Sequence, residues 1–384
     1  MSTDSGVTYD AIVIGVGGMG SAAVYHLARR GARVLGIERF EIPHDRGSSH
    51  GLSRIIRLAY WEHPDYVPFV RRAYDLWREL ERVTDESLLT VTGSIDAGPR
   101  DSRMIRGALA ACRTHGLEHD LLDAAAMTAR FAGYRLPADL VAVFQPDGGF
   151  LHPEHCVVAH VNAARELSAS VHTGERVIEW SASDGGVRVT TDRGRYDAAK
   201  LVIAAGPWLP SVMPALAPRL SVERQVVIWT QPLRPELFTP GRFPVFYIDT
   251  PRGAFYGFPA DGARGFKIGK YHHRREITDP DALDRACSAE DEATLREALS
   301  HYFPDANGPK LSSSACLFTN TPDEHFVIDR LPDHPHVIVA GGFSGHGFKF
   351  CSAVGEMVAD LALNATARRM DLFAIDRWGD VGSG

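Results

Sequence analysis

The sequence predicts an α/β protein: a Rossmann-type nucleotide-binding domain into which an α+β domain with an antiparallel sheet is inserted. Three observations predict this fold. A strand, a glycine-rich turn, a helix and a strand follow one another from 9 to 38, several strands occupy 221–269, and an apolar strand enters a second glycine-rich turn at 337–351. Strands that alternate with helices favour a parallel sheet, whereas consecutive strands favour an antiparallel one.

The change of rhythm along the chain gives the predicted domain boundaries. We assign residues 1–87, 148–220 and 319–384 to the nucleotide-binding domain. Residues 88–147 and 221–318 form the predicted second domain, which we expect to hold the substrate and the catalytic groups.

Composition favours small-molecule partners. The chain has 384 residues, 45% of them hydrophobic, and a formal charge of −7, so it carries no basic footprint for nucleic acid. No apolar run approaches the roughly 18 residues that span a bilayer, and no leader precedes the first strand, so we predict a cytoplasmic protein. The five cysteines are scattered without a C-x-x-C pair, which indicates neither a disulfide framework nor a metal site.

The N-terminal unit has the spacing of a dinucleotide-binding motif. An apolar strand, Tyr9–Ile14, leads into Gly15, Gly17 and Gly20, and an acidic residue, Glu38, ends the next strand 18 positions later. In such units the pyrophosphate lies on the helix N-terminus and the acid binds a ribose hydroxyl. FAD and NAD fit this motif equally well.

The segment after Phe40 is rich in histidine, arginine, glycine and serine. Arg54 and Arg57 are three positions apart, so on a helical turn they would share one face, and a planar guanidinium suits a substrate carboxylate. The alternative is a solvated basic face that pairs with Glu62 or Asp65.

The remaining elements follow from periodicity and turn residues. We predict helices at 71–82, 104–116, 124–131, 152–167 and 352–363, and one or two helices within 279–303. Strands are predicted at 140–144, 176–180, 187–191, 201–206, 222–230, 245–248, 254–258, 265–269 and 311–317. The strand at 201–206 is expected to return to the first sheet and cover the cofactor.

The second glycine-rich turn is the most unusual stretch of the chain. Gly341, Gly342, Gly345 and Gly347 separate the strand at 337–340 from a helix. Glycines let backbone amides approach a ligand, and the helix N-terminus favours electron-rich groups. A loop that merely needs permissive dihedral angles is the alternative.

Four segments together resemble the monomeric sarcosine oxidase and N-methyltryptophan oxidase family, which also includes pipecolate oxidases. They are Ile12–Gly20, Gly47–Arg57, Gly265–Gly269 and Cys316–Phe350, the last with its TPDEHFVID and GFSGHGFKF, and the similarity runs nearly end to end. The resemblance implies a two-domain flavoprotein of the D-amino-acid-oxidase type that holds FAD covalently.

Carried over residue by residue, the resemblance implies that Cys316 bonds the flavin through its sulfur and that Lys267 lies above the ring to activate O2. It implies that Arg57 and Lys349 bind the substrate carboxylate. The other residues that it places at the cofactor or in the pocket are Arg39, Ser48, His50, Arg54, Tyr256, Gly342, Gly345, His346 and Gly347. On the residues alone, the alternative for Cys316 is a buried structural cysteine. The alternative for Lys267 is a surface lysine on a strand.

Two positions depart from the family pattern. A tyrosine that commonly follows the flavin-linked cysteine by two residues is Phe318 here, so Phe318 is assigned to the substrate pocket without a phenolic hydroxyl. The pocket histidine expected after the lysine falls at Tyr271 or His272, and we assign His272 to the catalytic set.

The resulting hypothesis is a monomeric, FAD-dependent oxidase of secondary amino acids that uses O2 and releases H2O2. A flavin dehydrogenase with another acceptor, or an oxidase of primary amino acids, is the alternative enzyme. A flavin-binding subunit without turnover and an NAD-only dehydrogenase are two further readings.

Overall fold

A computed structural model describes residues 9–379. Its first half contains β1 (Tyr9–Ile14), α1 (Gly18–Arg29), β2 (Val34–Ile37), β3 (Arg54–Ile56), α2 (Tyr66–Thr84), β4 (Leu89–Val91), β5 (Ser94–Pro99), α3 (Arg103–His115), β6 (Asp120–Asp123), α4 (Ala124–Arg130), β7 (Leu140–Gln145), β8 (Gly149–Leu151), α5 (Pro153–Glu166) and β9 (Ser170–His172). The second half contains β10 (Val177–Ser183), β11 (Gly186–Thr191), β12 (Arg195–Ile203), α6 (Leu209–Val212), β13 (Ser221–Thr230), β14 (Val245–Thr250), β15 (Gly253–Phe258), β16 (Phe266–Lys270), α7 (Ala289–Tyr302), β17 (Lys310–Asn320), β18 (Val327–Arg330), β19 (Val337–Gly341) and α8 (Cys351–Leu363).

The first sheet is the predicted Rossmann-type sheet. Its central strands are parallel: β1 lies between β2 and β12, β9 pairs with β2, and β19 pairs with β12. The central strands are apolar and buried on both faces: Ala11 and Val13 of β1 belong to a core cluster with residues of α1 and α8, and Ile12 and Ile14 to a cluster with residues of β11 and α6. Since β1, β12 and β19 run in the same direction, their carboxyl ends bring both glycine-rich turns to one edge. As predicted, the strand that ends at Ile203 returns to this sheet.

The second sheet has the order β17-β13-β16-β15-β14-β5-β7-β6. Neighbouring strands are antiparallel apart from β5 and β14, which are parallel. Its core is aromatic; for example, the rings of Phe246 and Phe303 lie 4.5 Å apart. A small third sheet, β3-β8-β4, was not predicted. Through this sheet, the loop that follows β2 and contains β3 pairs with β8, which also pairs with β4.

One local prediction is wrong. Arg54 begins strand β3 rather than a helical turn, and Arg57 follows the end of that strand, although both residues line one cavity. Within 279–303, where one or two helices are predicted, the structure has one helix, α7. It begins at a capping box in which Ser288 and Asp291 exchange hydrogen bonds, and that cap fixes its start.

Two buried histidines between α1 and α5 predict an acid-sensitive fold. The rings of His26 and His160 lie 6.5 Å apart beside Tyr25. Burial lowers the pKa of His26 to about 3 and that of His160 well below its ordinary value. Below pH 6.5 the unfolded chain therefore binds protons that the folded chain excludes, so stability falls as pH falls from 6.5 toward 3.

His26 alone is expected to lower the free energy of unfolding by about 2 kcal/mol between pH 7.5 and pH 5, at 1.36 kcal/mol per pKa unit. Urea unfolding at both pH values measures this loss. A His26→Gln variant should lose less stability over the same interval, whereas His301→Gln, an exposed control on α7, should behave like the wild type. Equal losses in all three proteins would contradict the prediction.

Candidate active site

A cavity of about 1180 Å³ runs along the carboxyl edge of the first sheet. The predicted cofactor residues that line it are Gly15, Gly17, Glu38, Arg39, Ser48, Arg54, Gly342, Gly345 and Gly347. Gly15 has φ +84°, and a Cβ there would lie 2.6 Å from the Ala204 carbonyl oxygen, so the turn requires glycine. The turn leads directly into the N-terminus of α1, which favours a pyrophosphate.

The described residues fit a bound dinucleotide. Glu38 accepts hydrogen bonds from the amides of Val16 (2.8 Å) and Phe40 (3.0 Å), which holds its carboxylate at the cavity while lone pairs remain for a ribose hydroxyl. At the other end, the buried hydroxyl of Thr319 has no partner in the described part of the chain and lines the same cavity. The cavity exceeds the volumes of about 300–1,000 Å³ that are usual for ligand pockets.

A segment between β16 and α7 forms part of the lining of this cavity. Residues 277–281 line it, and Asp281 accepts hydrogen bonds from the guanidinium of Arg39 (2.7 Å) and the indole of Trp208 (2.9 Å). Arg39 therefore lines the cavity and also anchors the segment 277–281 beside it.

A second, smaller cavity of about 90 Å³ shares part of its lining with the first. Arg54, Phe318, Gly345 and Phe348 line both cavities. Gly345 has φ +76°, and a Cβ there would lie 2.4 Å from the Phe318 ring, so glycine is needed for this close approach. Predicted residues that line only the smaller cavity are His50, Arg57, Tyr256, Cys316, His346 and Lys349.

Arg57 is buried at the smaller cavity, at 5% exposure, between two carboxylates. It donates to Glu62 (3.1 Å) and to the Ala59 carbonyl (3.0 Å), and its Nε lies 3.6 Å from Asp96. Although burial works against its charge, Asp96 and Glu62 raise the pKa of Arg57, whereas burial raises the pKa of Asp96 to about 6. Arg57 thus pairs with Glu62, as the alternative interpretation of the sequence predicts. The pair lies inside the protein, however, and not on a solvated face.

Lys349 is the second buried cation of the smaller cavity, also at 5% exposure. Its ammonium donates to the His346 carbonyl oxygen (2.6 Å), which is its one hydrogen bond within residues 9–379. Burial, followed by the charge of Arg57, lowers the pKa of Lys349 to about 7. His346 is held by the Tyr60 hydroxyl at Nδ1 (2.5 Å) and by the Glu324 carbonyl at Nε2 (2.8 Å).

Lys267 is 2% exposed, so it is not a surface lysine. Its ammonium donates to the carbonyl oxygens of Gly51 (2.6 Å) and Ser53 (2.9 Å), and it lies 4.5 Å from the centre of the Phe258 ring. Burial and then the charge of Arg54 lower the pKa of Lys267 well below its ordinary value. Gly51 and Phe258 line the smaller cavity, which places the ammonium directly behind its wall.

Cys316 and His50 complete the wall near Arg54. Ser314, Cys316 and Phe318 alternate on β17 and therefore face the smaller cavity together. Burial raises the pKa of the Cys316 thiol, while Arg54 and Lys267 oppose this rise. Burial and Arg54 lower the pKa of His50 to about 4, and its Nε2 has no partner among the described residues.

Two predicted site residues are corrected. Tyr271, which directly follows β16, lines the smaller cavity, whereas His272 does not. His272 turns away with φ +52° and bonds Glu223 (2.7 Å) and Glu324 (3.1 Å); although burial opposes the charge, these carboxylates raise its pKa to about 9.

Gly20 does not line the larger cavity; a Cβ there would lie 1.7 Å from the Gly15 carbonyl oxygen, so it lets α1 pack on the turn. Sequence reasoning missed several lining residues, namely Trp61, Tyr247 and Phe258. Tyr247 lies opposite Tyr256 in the β14–β15 hairpin, and this cross-strand register is the signal that identifies it.

The larger cavity fits a dinucleotide, and the smaller cavity beside it has buried cations. This arrangement suits an oxidoreductase that brings a small anionic substrate to a redox cofactor. Comparison with known families agrees. The family model described as FAD dependent oxidoreductase (DAO) matches residues 10–361, and the chain belongs to this family.

Named relatives are more specific. Monomeric sarcosine oxidase from Streptomyces avermitilis is 42% identical over 366 residues, which covers 94% of each chain. N-methyl-L-tryptophan oxidase from Salmonella enteritidis is 37% identical over 363 residues, covering 94% of this chain and 96% of the relative. Among solved structures, NikD, an amino acid oxidase essential for nikkomycin biosynthesis, has a TM-score of 0.82 at 28% identity, covering 96% of this chain and 97% of NikD.

The fold extends to more distant proteins. Glycine oxidase from Geobacillus kaustophilus has a TM-score of 0.79 at 21% identity, covering 96% of this chain and 99% of the other, which shows the shared fold alone. Within residues 9–379, no helix combines the length and apolar character required to cross a membrane.

Proposed function

We propose that this FAD-dependent oxidoreductase is a monomeric oxidase of secondary amino acids, such as sarcosine, other N-methyl amino acids or cyclic imino acids such as pipecolate. O2 is the proposed acceptor and H2O2 the product. The observation that carries the proposal is the presence of Arg57 and Lys349 in one small cavity that shares Arg54 and Phe318 with the dinucleotide cavity. The relatives named above support the substrate class.

The residues of the pocket bind and orient the substrate. Arg57 and the free donors of Lys349 hold its carboxylate, and a bound carboxylate raises the pKa of Lys349 because an opposite charge favours the ammonium. The same cations repel a protonated substrate amine, so the neutral amine that oxidation requires is favoured and the activity optimum is expected to be alkaline. Fixed orientation supplies much of the rate.

Bound FAD supplies hydride acceptance from the carbon next to nitrogen and electron transfer to O2. Although burial and Arg54 lower the pKa of Lys267, negative charge that develops on oxygen favours its ammonium form, which then stabilises that charge in a site with little water. The burial of Lys267 behind the cavity wall favours an oxidase over a dehydrogenase that uses another acceptor.

A peroxide assay on the purified FAD-loaded protein tests the function. The panel contains sarcosine, N-methyl amino acids, pipecolate, proline and primary D-amino acids. Peroxide from the secondary amines is expected. Peroxide confined to primary amines, or substrate oxidation that proceeds only with an artificial acceptor, would reject the proposal in favour of the alternatives.

We further propose that Cys316 holds FAD through a thioether. Forming this bond removes the thiol hydrogen and one hydrogen of the ring system, and O2 can accept both. Cys316 lines the smaller cavity, two positions before Phe318, which lines both cavities, and this supports the assignment. Cys351 is the competing thiol, because it lines the larger cavity beside Gly18.

Acid precipitation measures the link directly. We expect the yellow colour to stay with the wild-type pellet, to move to the supernatant for Cys316→Ala, and to stay in the pellet for the matched variant Cys351→Ala. Wild-type colour wholly in the supernatant, or release from Cys351→Ala alone, contradicts the assignment.

A further inference from the structure

Tyr60 packs against two residues that line the smaller cavity without lining the cavity itself. Its side chain is buried, at 1% exposure. The Arg57 guanidinium carbon lies 4.9 Å from the centre of its ring, and the Lys349 ammonium lies 5.2 Å from it. Both distances fall within the roughly 6 Å over which an aromatic ring attracts a cation. The Phe350 ring also lies 5.5 Å from the Lys349 ammonium, but of the two rings Tyr60 is the one that contacts both cations.

The two cations carry like charges, and their repulsion has to be offset. Arg57 is paired with carboxylates, whereas the Lys349 ammonium has one hydrogen bond within residues 9–379, to the uncharged His346 carbonyl oxygen. Burial and the charge of Arg57 both disfavour this ammonium, which lowers the pKa of Lys349. Because the face of an aromatic ring carries negative charge density, the Tyr60 ring offsets part of this cost. It does so without a carboxylate that would compete with the substrate.

The hydroxyl of Tyr60 holds the residue that accepts the hydrogen bond of Lys349. It contacts Nδ1 of His346 (2.5 Å), and Nε2 of His346 lies 2.8 Å from the Glu324 carbonyl oxygen. A carbonyl oxygen only accepts, so Nε2 carries the proton. Burial lowers the pKa of His346 to about 4, so the imidazole is neutral at pH 7 and its Nδ1 accepts from the Tyr60 hydroxyl. This bond fixes the orientation of His346.

Tyr60 is itself held firmly by neighbouring rings. The ring centre of Tyr66 lies 4.8 Å away and that of Phe350 lies 5.2 Å away. Tyr66 is a natural comparison, because it is equally buried and its hydroxyl also bonds a histidine, His325, at 3.2 Å. His325 does not line the smaller cavity, however.

We infer that Tyr60 is a positioning residue that holds Arg57 and Lys349 where they receive the substrate carboxylate. Its ring attracts both cations, and its hydroxyl fixes His346, on whose carbonyl oxygen the Lys349 ammonium rests. The inference rests on the proposed function and adds to it the residue that supports the anion site from behind. Tyr60 acts through the two cations and not by contact with the substrate.

Binding of acetate and of acetamide, its uncharged counterpart, to the FAD-loaded protein tests the inference. Flavin absorbance reports both affinities between pH 5.5 and pH 9. Acetate binding favours the ammonium form of Lys349, whose pKa is about 7, so wild-type affinity for acetate should fall as pH rises above 7. In Tyr60→Leu the ammonium loses the ring, so the fall should begin about one pH unit lower and affinity at pH 7 should drop about 5- to 30-fold.

Two further variants separate the ring from the hydroxyl. Tyr60→Phe keeps the ring, so it should retain the wild-type pH profile while it loses about fivefold in acetate affinity. Tyr66→Phe is the matched control and should stay within about twofold of the wild type at every pH. Acetamide should bind all four proteins equally, and thermal unfolding checks that each variant is folded.

The outcomes distinguish the inference from the function on which it rests. Wild-type acetate affinity and pH profile in Tyr60→Leu would overturn the inference, and so would equal losses of acetate and acetamide with an unmoved profile. If Tyr60→Leu does not fold, Tyr60→Phe decides, and wild-type acetate affinity in that variant would overturn the inference. In each of these cases the proposed function stands as long as Lys349→Met loses acetate affinity. Acetate binding that Lys349→Met leaves unchanged would instead reject the proposed anion site, and the inference with it.

Discussion

Replacing Lys267 by methionine is expected to slow reoxidation of the reduced enzyme by O2 by about 10²- to 10³-fold, the cost of removing one preorganised electrostatic contact. The ammonium is held by the Gly51 and Ser53 carbonyl oxygens. It therefore needs no reorganisation when charge develops on oxygen. Reduction by substrate should change little, because Arg57 and Lys349 rather than Lys267 are the residues proposed to hold the carboxylate. Stopped-flow measurement of the two half-reactions resolves the two steps.

Two further variants test whether the slow reoxidation depends on the charge of Lys267. Lys270→Met, three positions along β16, removes a lysine whose ammonium lies 5.8 Å from the Phe255 ring centre, and it should reoxidise normally. Lys267→Gln keeps N–H donors for the two carbonyls but removes the charge, so it should reoxidise slowly like the methionine variant. Fast reoxidation of Lys267→Gln and Lys267→Met would remove Lys267 from the reaction with O2.

Replacing Lys349 by methionine is expected to raise KM by about 10- to 100-fold, because a hydrogen bond to a charged group contributes about 1.5–3 kcal/mol. The protein should remain folded, since the Lys349 ammonium makes a single hydrogen bond within residues 9–379, to the His346 carbonyl oxygen. An uncharged competitor that lacks the carboxylate should bind wild type and variant equally. Competition titration followed by absorbance measures both affinities.

Arg57 provides the matched comparison because it carries structural partners that Lys349 lacks. Arg57→Met leaves Asp96 and Glu62 buried without their cation, at a cost of about 3–5 kcal/mol. We therefore expect Arg57→Met to lose stability as well as affinity. Unchanged affinity for carboxylate ligands in Lys349→Met would show that the carboxylate binds elsewhere.

The spacing of residues within short segments was sufficient to predict the strands, turns and helix around the larger cavity. The order Gly15, Gly17, Gly20 and Glu38 predicts a strand, turn and helix, because each of these features depends on residues close in the chain. The second glycine-rich turn and the sheet strands follow from the same short-range periodicity. These predictions place the larger cavity correctly, although Gly20 serves packing rather than the cavity.

The substrate half depended on contacts between distant segments. The choice between Tyr271 and His272 is made just beyond the end of β16, where His272 has φ +52° and is held by Glu223 and Glu324 from distant parts of the chain. The contact of Trp61 with Tyr247 joins a loop near the first sheet to a strand of the second.

By itself, the sequence determined the class of fold and the dinucleotide motif, since short-range periodicity and residue spacing encode them. The family resemblance singled out Arg57, Lys267 and Lys349, but their burial is seen only in the structure. Only the tertiary structure decided which carboxylates surround Arg57, which aromatic rings face the substrate and how much space they leave. These features arise where strands β5, β14, β16 and β17 meet the loop after β3, and long-range pairing sets their register.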